Sequence, residues 1–356
     1  MLLIAGVVLL SSCSEDCPTC PVEDSPEVYK GYLYVADNNG KIYQFDTETD
    51  SLVDSTYSLG RGSIFDVSQD GRYLVVNDWN YTPAHSIIFD AQTLEPMLHL
   101  DSAYGSRFAC NDNLLIATQN DMLYFYSLPD FKCIGTDSIG NKVKTMLDDR
   151  LGLLYIASQV NTPVSADLFI TYDYRNRQIL DRWYLKDKEG NHLAFWDFDI
   201  SSDSKRLYVS TQAFEVHGSY TLRCFDMDSH QIVWEYGRNS PFGQLCLSPD
   251  GKELYHVEGP WGDQGPEPGA VFISDPENGS ILHTISTYGY TENPFEHLRL
   301  GWVRVTPTGD KLYAASGTYG WPGTVLVIDL KTREITKMLW PDMDHFVGPM
   351  EIGPKR

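Results

Sequence analysis

The sequence has 9 histidines, 7 cysteines and 49 aspartates and glutamates, enough side chains for many kinds of chemistry. Their spacing, however, marks no familiar reaction centre. The chain has no Gly-x-Ser-x-Gly elbow, no His-Glu-x-x-His helix, no phosphate-binding glycine loop and no EF-hand loop. The histidines are scattered without short ligand spacing, so a metal site would need residues brought together by the fold. Cys17-Pro18-Thr19-Cys20 is a two-thiol motif, but it lacks a second ligand pair, a following helix and a following histidine. It is expected to belong to a polar tether or a small disulfide loop. No catalytic residue, metal ligand or cofactor is assigned from the sequence.

Binding chemistry is better represented. Trp79, Tyr81, Phe214, Trp261, Tyr319 and Trp321 stand in irregular stretches between apolar runs, with His85, His217 and Asp263 nearby. Further irregular stretches carry Tyr104, His192, Phe195, Phe242, Tyr288, Tyr290, Phe295, His297, His345 and Phe346. Aromatic side chains offer a large contact area at a small entropic cost, which suits sugar and protein ligands. Basic residues are scarce, yet Arg61, Arg107, Lys142, Lys144, Arg238 and Arg299 fall in segments leading into apolar runs, where a positive funnel for carboxylates would form. The expected ligand-binding set is therefore Trp79, Tyr81, Arg107, Phe214, Trp261, Arg299, Tyr319 and Trp321. A formal charge of −22 argues against nucleic acid and against a basic patch on anionic lipid. A protein or carbohydrate partner and a monomeric chain are expected.

The elements that would position these residues repeat. An apolar strand opening on leucine occurs at Leu33, Leu74, Leu114, Leu154, Leu207, Leu254 and Leu312, seven times in all. A second strand follows each and ends in an aromatic or aliphatic residue plus Asp, as at Asp46, Asp90, Asp173, Asp226 and Asp329, with weaker copies at Ser127 and Asp275. These aspartates are expected to fix a turn by accepting backbone N–H groups, not to act as acids. Tight turns such as Gln69-Asp70-Gly71 and Pro249-Asp250-Gly251 precede the leucine strands, and Ser202-Asp203-Ser204-Lys205 is a glycine-free variant. A fourth alternating segment, such as Ile232–Tyr236, completes each unit. Four short strands repeated at roughly 40–55 residues predict propeller blades. Cys110, Cys133, Cys224 and Cys246 fall in these strands and are expected to be buried thiols.

Pro249–Tyr255 and Gly323–Asp329 resemble the two halves of a YVTN-type propeller repeat, the family of YncE-like and surface-layer proteins. The likeness implies an all-β, single seven-bladed propeller of four-stranded antiparallel blades over residues 30–356. Most of its relatives bind; a few propellers act as enzymes or oxidoreductase subunits. The first unit lacks an initial strand, and Pro349–Pro354 looks like the missing piece, so the C-terminal strand is expected to close the ring.

Residues 1–12 form an apolar run that suits a signal peptide. Leu10-Ser11-Ser12-Cys13 resembles a bacterial lipobox, and Ser14-Glu15-Asp16 resembles the surface-export signal of Bacteroides lipoproteins. Residues 13–29 are then a lipidated Cys13 and a tether. The expected protein is an outer-membrane, cell-surface binding module, joined to the membrane through its lipid only. The alternative is a periplasmic or surface propeller enzyme, or an oxidoreductase accessory subunit with a metal or quinone-linked site.

Overall fold

The computed structural model describes residues 29–37, 39–57, 62–78, 85–100, 104–109, 113–119, 122–139, 144–158, 168–213, 220–238, 242–258, 269–287, 298, 300–316, 323–339 and 347–355. The expected leader, Cys13, the Cys17/Cys20 pair and Cys110 lie outside the described residues. Those that are described form seven four-stranded antiparallel sheets, the predicted propeller.

Seven innermost strands surround the axis: β4 (Gly62–Val67), β8 (Tyr104–Ala109), β12 (Lys144–Asp148), β16 (Leu193–Ile200), β20 (Phe242–Leu247), β24 (Leu300–Val305) and β28 (Val347–Pro354). Next come the leucine strands β1 (Gly31–Asp37), β5 (Tyr73–Asp78), β9 (Leu114–Gln119), β13 (Leu153–Ser158), β17 (Arg206–Ala213), β21 (Leu254–Glu258) and β25 (Lys311–Ser316). The third layer is β2 (Lys41–Asp46), β6 (His85–Asp90), β10 (Met122–Ser127), β14 (Leu168–Asp173), β18 (Tyr220–Asp226), β22 (Ala270–Ser274) and β26 (Thr324–Asp329). The outer edge is β3 (Ser51–Tyr57), β7 (Pro96–Leu100), β11 (Lys132–Ser138), β15 (Gln178–Tyr184), β19 (Ile232–Arg238), β23 (Ile281–Ser286) and β27 (Glu334–Leu339). Blade 1 is β28-β1-β2-β3, and blades 2 to 7 follow in chain order.

The leucine strands are apolar without alternation because both their faces are covered by neighbouring blades. One cluster, for example, joins Leu33, Val35, Tyr43 and Phe45 of blade 1 to Tyr313, Ala315, Val325 and Val327 of blade 7. The outer strands face water, as the exposed Ser51–Asp54 shows. In blade 3 the leucine equivalent to Leu33 is Leu115, one residue later than the sequence repeat suggested. Leu115 pairs with Phe108 and Tyr126 as Leu33 pairs with Ile352 and Phe45.

The ring closes as expected. β28 runs beside β1 with Leu33 opposite Ile352 and Val35 opposite Met350, and Met350 is 1% exposed. Lys355 then reaches the Asp46 and Glu48 carboxylates at 2.6 and 2.9 Å.

A joint repeats at every blade boundary. Four or, at Gly279, five residues past the end of each third strand stands a residue in the left-handed backbone region: Asp50, Leu94, Phe131, Arg177, His230, Gly279 and Arg333. Asp46, Asp90, Asp226 and Asp329 hold this turn by accepting N–H groups two or three residues on, including those of Thr49, Thr93 and Thr332. They are structural, as the sequence implied. The N–H and hydroxyl of Ser229, with Arg206 behind, hold the Asp226 carboxyl at about 2.

Each left-handed residue meets the preceding blade. Asp50 takes the Lys311 ammonium at 2.8 Å and the Tyr313 hydroxyl at 3.0 Å. Leu94 packs with Tyr34 and Ile42, and Phe131 stands edge-on to Tyr73 at 5.3 Å. Arg177 pairs with Asp137, His230 with Asp181 and Arg333 with Glu253. At Gly279 the partner supplies the bulk instead: a Cβ would lie 2.5 Å from the Trp234 ring, whose Nε1–H donates to Pro276 O at 2.8 Å.

Cys224 and Cys246 are buried, and burial pushes both thiols up to about 12. Cys133 departs from expectation: it is exposed, because β11 is an outer strand with solvent on its free side.

Candidate functional site

The innermost strands pack in sequence around the axis, β28 on β4, β4 on β8, β8 on β12, β16 on β20, β20 on β24 and β24 on β28. In each blade, the residue just before the partner of the core leucine falls at one common level. Following the ring, that level carries Glu351, Asp66, Arg107, Met146, Asp199, Cys246 and Arg304. Three acids and two bases thus form a belt around the channel, close to the end where first strands turn into second strands.

The belt has a structural task. An innermost strand is a sheet edge with unpaired N–H groups, which need acceptors when buried. Phe108 N–H donates to Asp66 Oδ2 at 2.6 Å, and Leu247 N–H donates to Asp199 Oδ2 at 2.8 Å. One level up, Leu245 N–H donates to Asp197 Oδ2 at 2.9 Å. The bases also bridge blades. Arg107 Nε donates to Thr145 O at 3.0 Å; Arg304 reaches Gln244 Oε1 at 3.0 Å and Glu351 Oε2 at 3.4 Å.

From blade 7 to blade 3 the belt runs Arg304, Glu351, Asp66, Arg107: positive, two negatives, positive. Asp66 is enclosed by protein but retains contact with the channel. Burial raises its carboxyl to about 7; the Glu351 charge adds to the rise, while Arg107 and the Phe108 N–H oppose it. Near neutrality this group exchanges a proton, which makes the belt the titrating part of the described channel.

Arg107 is the member of the expected binding set whose side chain is described, and it lies within β8 on the channel wall, not in a loop leading to it. Lys144 opens β12 and Arg238 closes β19, while Arg61 and Lys142 lie outside the described residues. Trp79, Tyr81, Phe214, Trp261, Arg299, Tyr319 and Trp321 also lie outside them. The strand ends that flank them are described: second strands finish, and innermost strands begin, on one shared face. Asp66, Glu351 and Arg304 were not singled out by sequence. Each sits one residue short of the core position, a relation visible only once the register is known. Among the described residues, no group of three His, Cys, Asp or Glu is placed to hold a metal ion.

A family model described as the cytochrome D1 heme domain matches residues 25–108. Among solved structures, a functionally unknown protein from Desulfotomaculum acetoxidans is 13% identical, with a TM-score of 0.64 over 92% of this chain and 100% of that one. The dihydro-heme d1 dehydrogenase NirN, in complex with DHE, is 12% identical with a TM-score of 0.62 over 92% and 76% of the two chains. Kuenenia stuttgartiensis hydrazine synthase is 14% identical with a TM-score of 0.58 over 75% and 76%. These likenesses are of fold. No curated protein matches the chain in sequence.

A haem would require an axial donor, most simply a histidine or a thiolate. Among the described residues, no histidine stands on an innermost strand, and the one cysteine there, Cys246, is held as a thiol by burial. The described innermost strands thus offer no imidazole, and Met146 is the further donor type at the belt level.

Proposed function

We propose that this chain is a lipid-anchored, cell-surface binding module that presents a non-catalytic ligand site on the face where second strands end and innermost strands begin. One observation carries this assignment: on the opposite face, four of the described turns bond their polar groups internally. Ser68, Ser201 and Ser248 each donate to an aspartate two residues on, namely Asp70, Asp203 and Asp250, at 2.6–2.7 Å. The same hydroxyls accept N–H groups from Arg72 and Tyr73, from Arg206 and from Glu253. Thr306 does the same with Asp310 and Lys311. The strand ends on either side of Trp79, Trp261 and Trp321 are on the other side. A rigid ring with one self-satisfied face leaves that other rim for protein or carbohydrate partners. Cys13 would supply the anchor, and an acidic monomer would suit an exposed surface.

The test is retention on an array of glycans and envelope proteins. The purified protein should be captured by a defined ligand class. Joint Trp79→Ala, Trp261→Ala and Trp321→Ala substitution should abolish capture without lowering Tm. Equal capture of the variant, or no capture of the parent, would overturn the assignment.

A second reading, an oxidoreductase accessory subunit, is favoured by the cytochrome D1 match over residues 25–108 and by the fold shared with NirN and hydrazine synthase. With no histidine on a described innermost strand, that role would rest on docking to a redox partner. Co-purification with such a partner would support it.

A further inference from the structure

The rim between blades 4 and 5 holds a cleft beside one of the joints, that of His230 and Asp181. Between β15 and β16, residues 185–192 form a tongue. Asp187 N–H donates to Asn191 O at 2.9 Å, Leu193 N–H donates to Leu185 O at 3.1 Å, and Lys186 bridges to His192. The Asp187 carboxylate accepts the backbone N–H and side-chain amide of Asn191 at 2.7 and 2.9 Å, which stiffens the tongue.

Between this tongue and the β18–β19 turn lies a cleft of about 620 Å³, lined among others by Trp183, Tyr184, Lys186, Glu189, His230 and Gln231. That volume suits a monosaccharide. The His230 imidazole lies flat on the Trp183 indole, 4.6 Å between centroids and 3° between planes, and Asp181 pins it at 2.6 Å. With one face on the indole, the imidazole has its other face to offer the cleft.

Two donors here have no acceptor among the described residues. Trp183 is 6% exposed and its Nε1–H is unmet. The Lys186 ammonium has no carboxylate within ion-pair distance, unlike Lys188, which holds Glu235 at 2.7 Å. A negatively charged ligand rich in acceptors would complement these two donors.

We infer that this cleft binds a carboxylate-bearing pyranose. Its C–H face rests on the His230 imidazole, its carboxylate meets Lys186, and an oxygen at the floor accepts from Trp183. The tongue leads into β16 on the loop-bearing face, but the cleft uses none of Trp79, Trp261 and Trp321, so either site can fail without the other.

Calorimetric titration of the whole protein with D-galacturonate and with D-galactose isolates the carboxylate, the only difference between the two sugars. Galacturonate is expected to bind about tenfold tighter, and Lys186→Ala to erase that preference. Trp183→Phe, which keeps an aromatic ring but removes the N–H, should weaken galacturonate about fivefold. Glu189→Gln, which removes a like charge, should strengthen it. Equal binding of the two sugars, no heat with either at about 10 mM, or a Lys186→Ala variant that keeps the preference would overturn the proposal. So would Trp183→Phe with unchanged affinity. Lys186 lies on the exposed tongue, so its variant tests the site even where a change at Trp183 disturbs folding.

Discussion

Asp66 and Asp199 occupy the same level of the channel three blades apart, and each accepts a backbone N–H from the next blade, Phe108 at 2.6 Å and Leu247 at 2.8 Å. The fold thus uses one device twice to satisfy an inner edge. Their surroundings differ: Asp66 stands between Glu351 and Arg107, deep enough that burial raises its carboxyl to about 7.

That elevation fixes the sign of a pH effect. The unfolded chain ionises Asp66 near its ordinary value of 3.8, whereas the folded chain holds the proton up to about 7. Between those values the native state binds more protons, so this group's contribution to stability is complete below pH 4 and lost as pH rises through 7. Asp66→Asn can still accept the Phe108 N–H without a charge to bury. Discounted for channel water, it should stabilise the protein by about 1–2 kcal/mol at pH 8 and by little at pH 4. Thermal melts of both proteins across that range check this; a constant difference would show that Asp66 is not the group responsible.

Two left-handed residues, one at a blade joint and one in the turn between β16 and β17, give a second expectation. Phe131→Ala removes the ring that meets Tyr73 and should cost about 2–4 kcal/mol in denaturant unfolding. Ser204, at φ 59°, closes a tight turn with a backbone angle that glycine adopts freely. Ser204→Gly should gain up to about 1 kcal/mol. Loss of stability in the second variant would contradict a backbone origin.

Much of this architecture was legible in the sequence because each blade repeats the same solution. The leucine runs and the Asp-closed turns recur in unit after unit, and the missing first strand shows when the first unit is laid against the others. Joint and belt were hidden for different reasons. The seven left-handed positions carry Asp, Leu, Phe, Arg, His, Gly and Arg, with no shared type, because each is matched to a different partner on the preceding blade. The belt depends on register. Bulges such as that between Phe242 and Leu245 shift the count along the strand, so Arg304 and Glu351 become neighbours only in three dimensions.

Removing residues 347–356 should deprive blade 1 of its inner strand and expose the buried Leu33–Ala36 run. A fall in Tm of at least about 10 °C, or loss of a single cooperative transition, is expected. Gly353→Val should be damaging as well, since a Cβ there would lie 2.3 Å from Val67. Calorimetry that shows unchanged unfolding after the truncation would mean that β28 does not seal the ring.

The proposed anchor has its own test. Metabolic labelling with an alkyne fatty acid should mark the parent chain and not Cys13→Ala, which should leave the membrane fraction. Equal labelling of the two would place any lipid elsewhere.

The pairing of β28 with β1 also sets an order of events. The first blade to be synthesised is the last that can be finished, since its inner edge is supplied some 300 residues later. Until β28 has been made, the nascent chain holds an incomplete sheet and no closed circle. A polypeptide that must be threaded through a narrow pore profits from that delay, because it stays pliable until its final strand arrives.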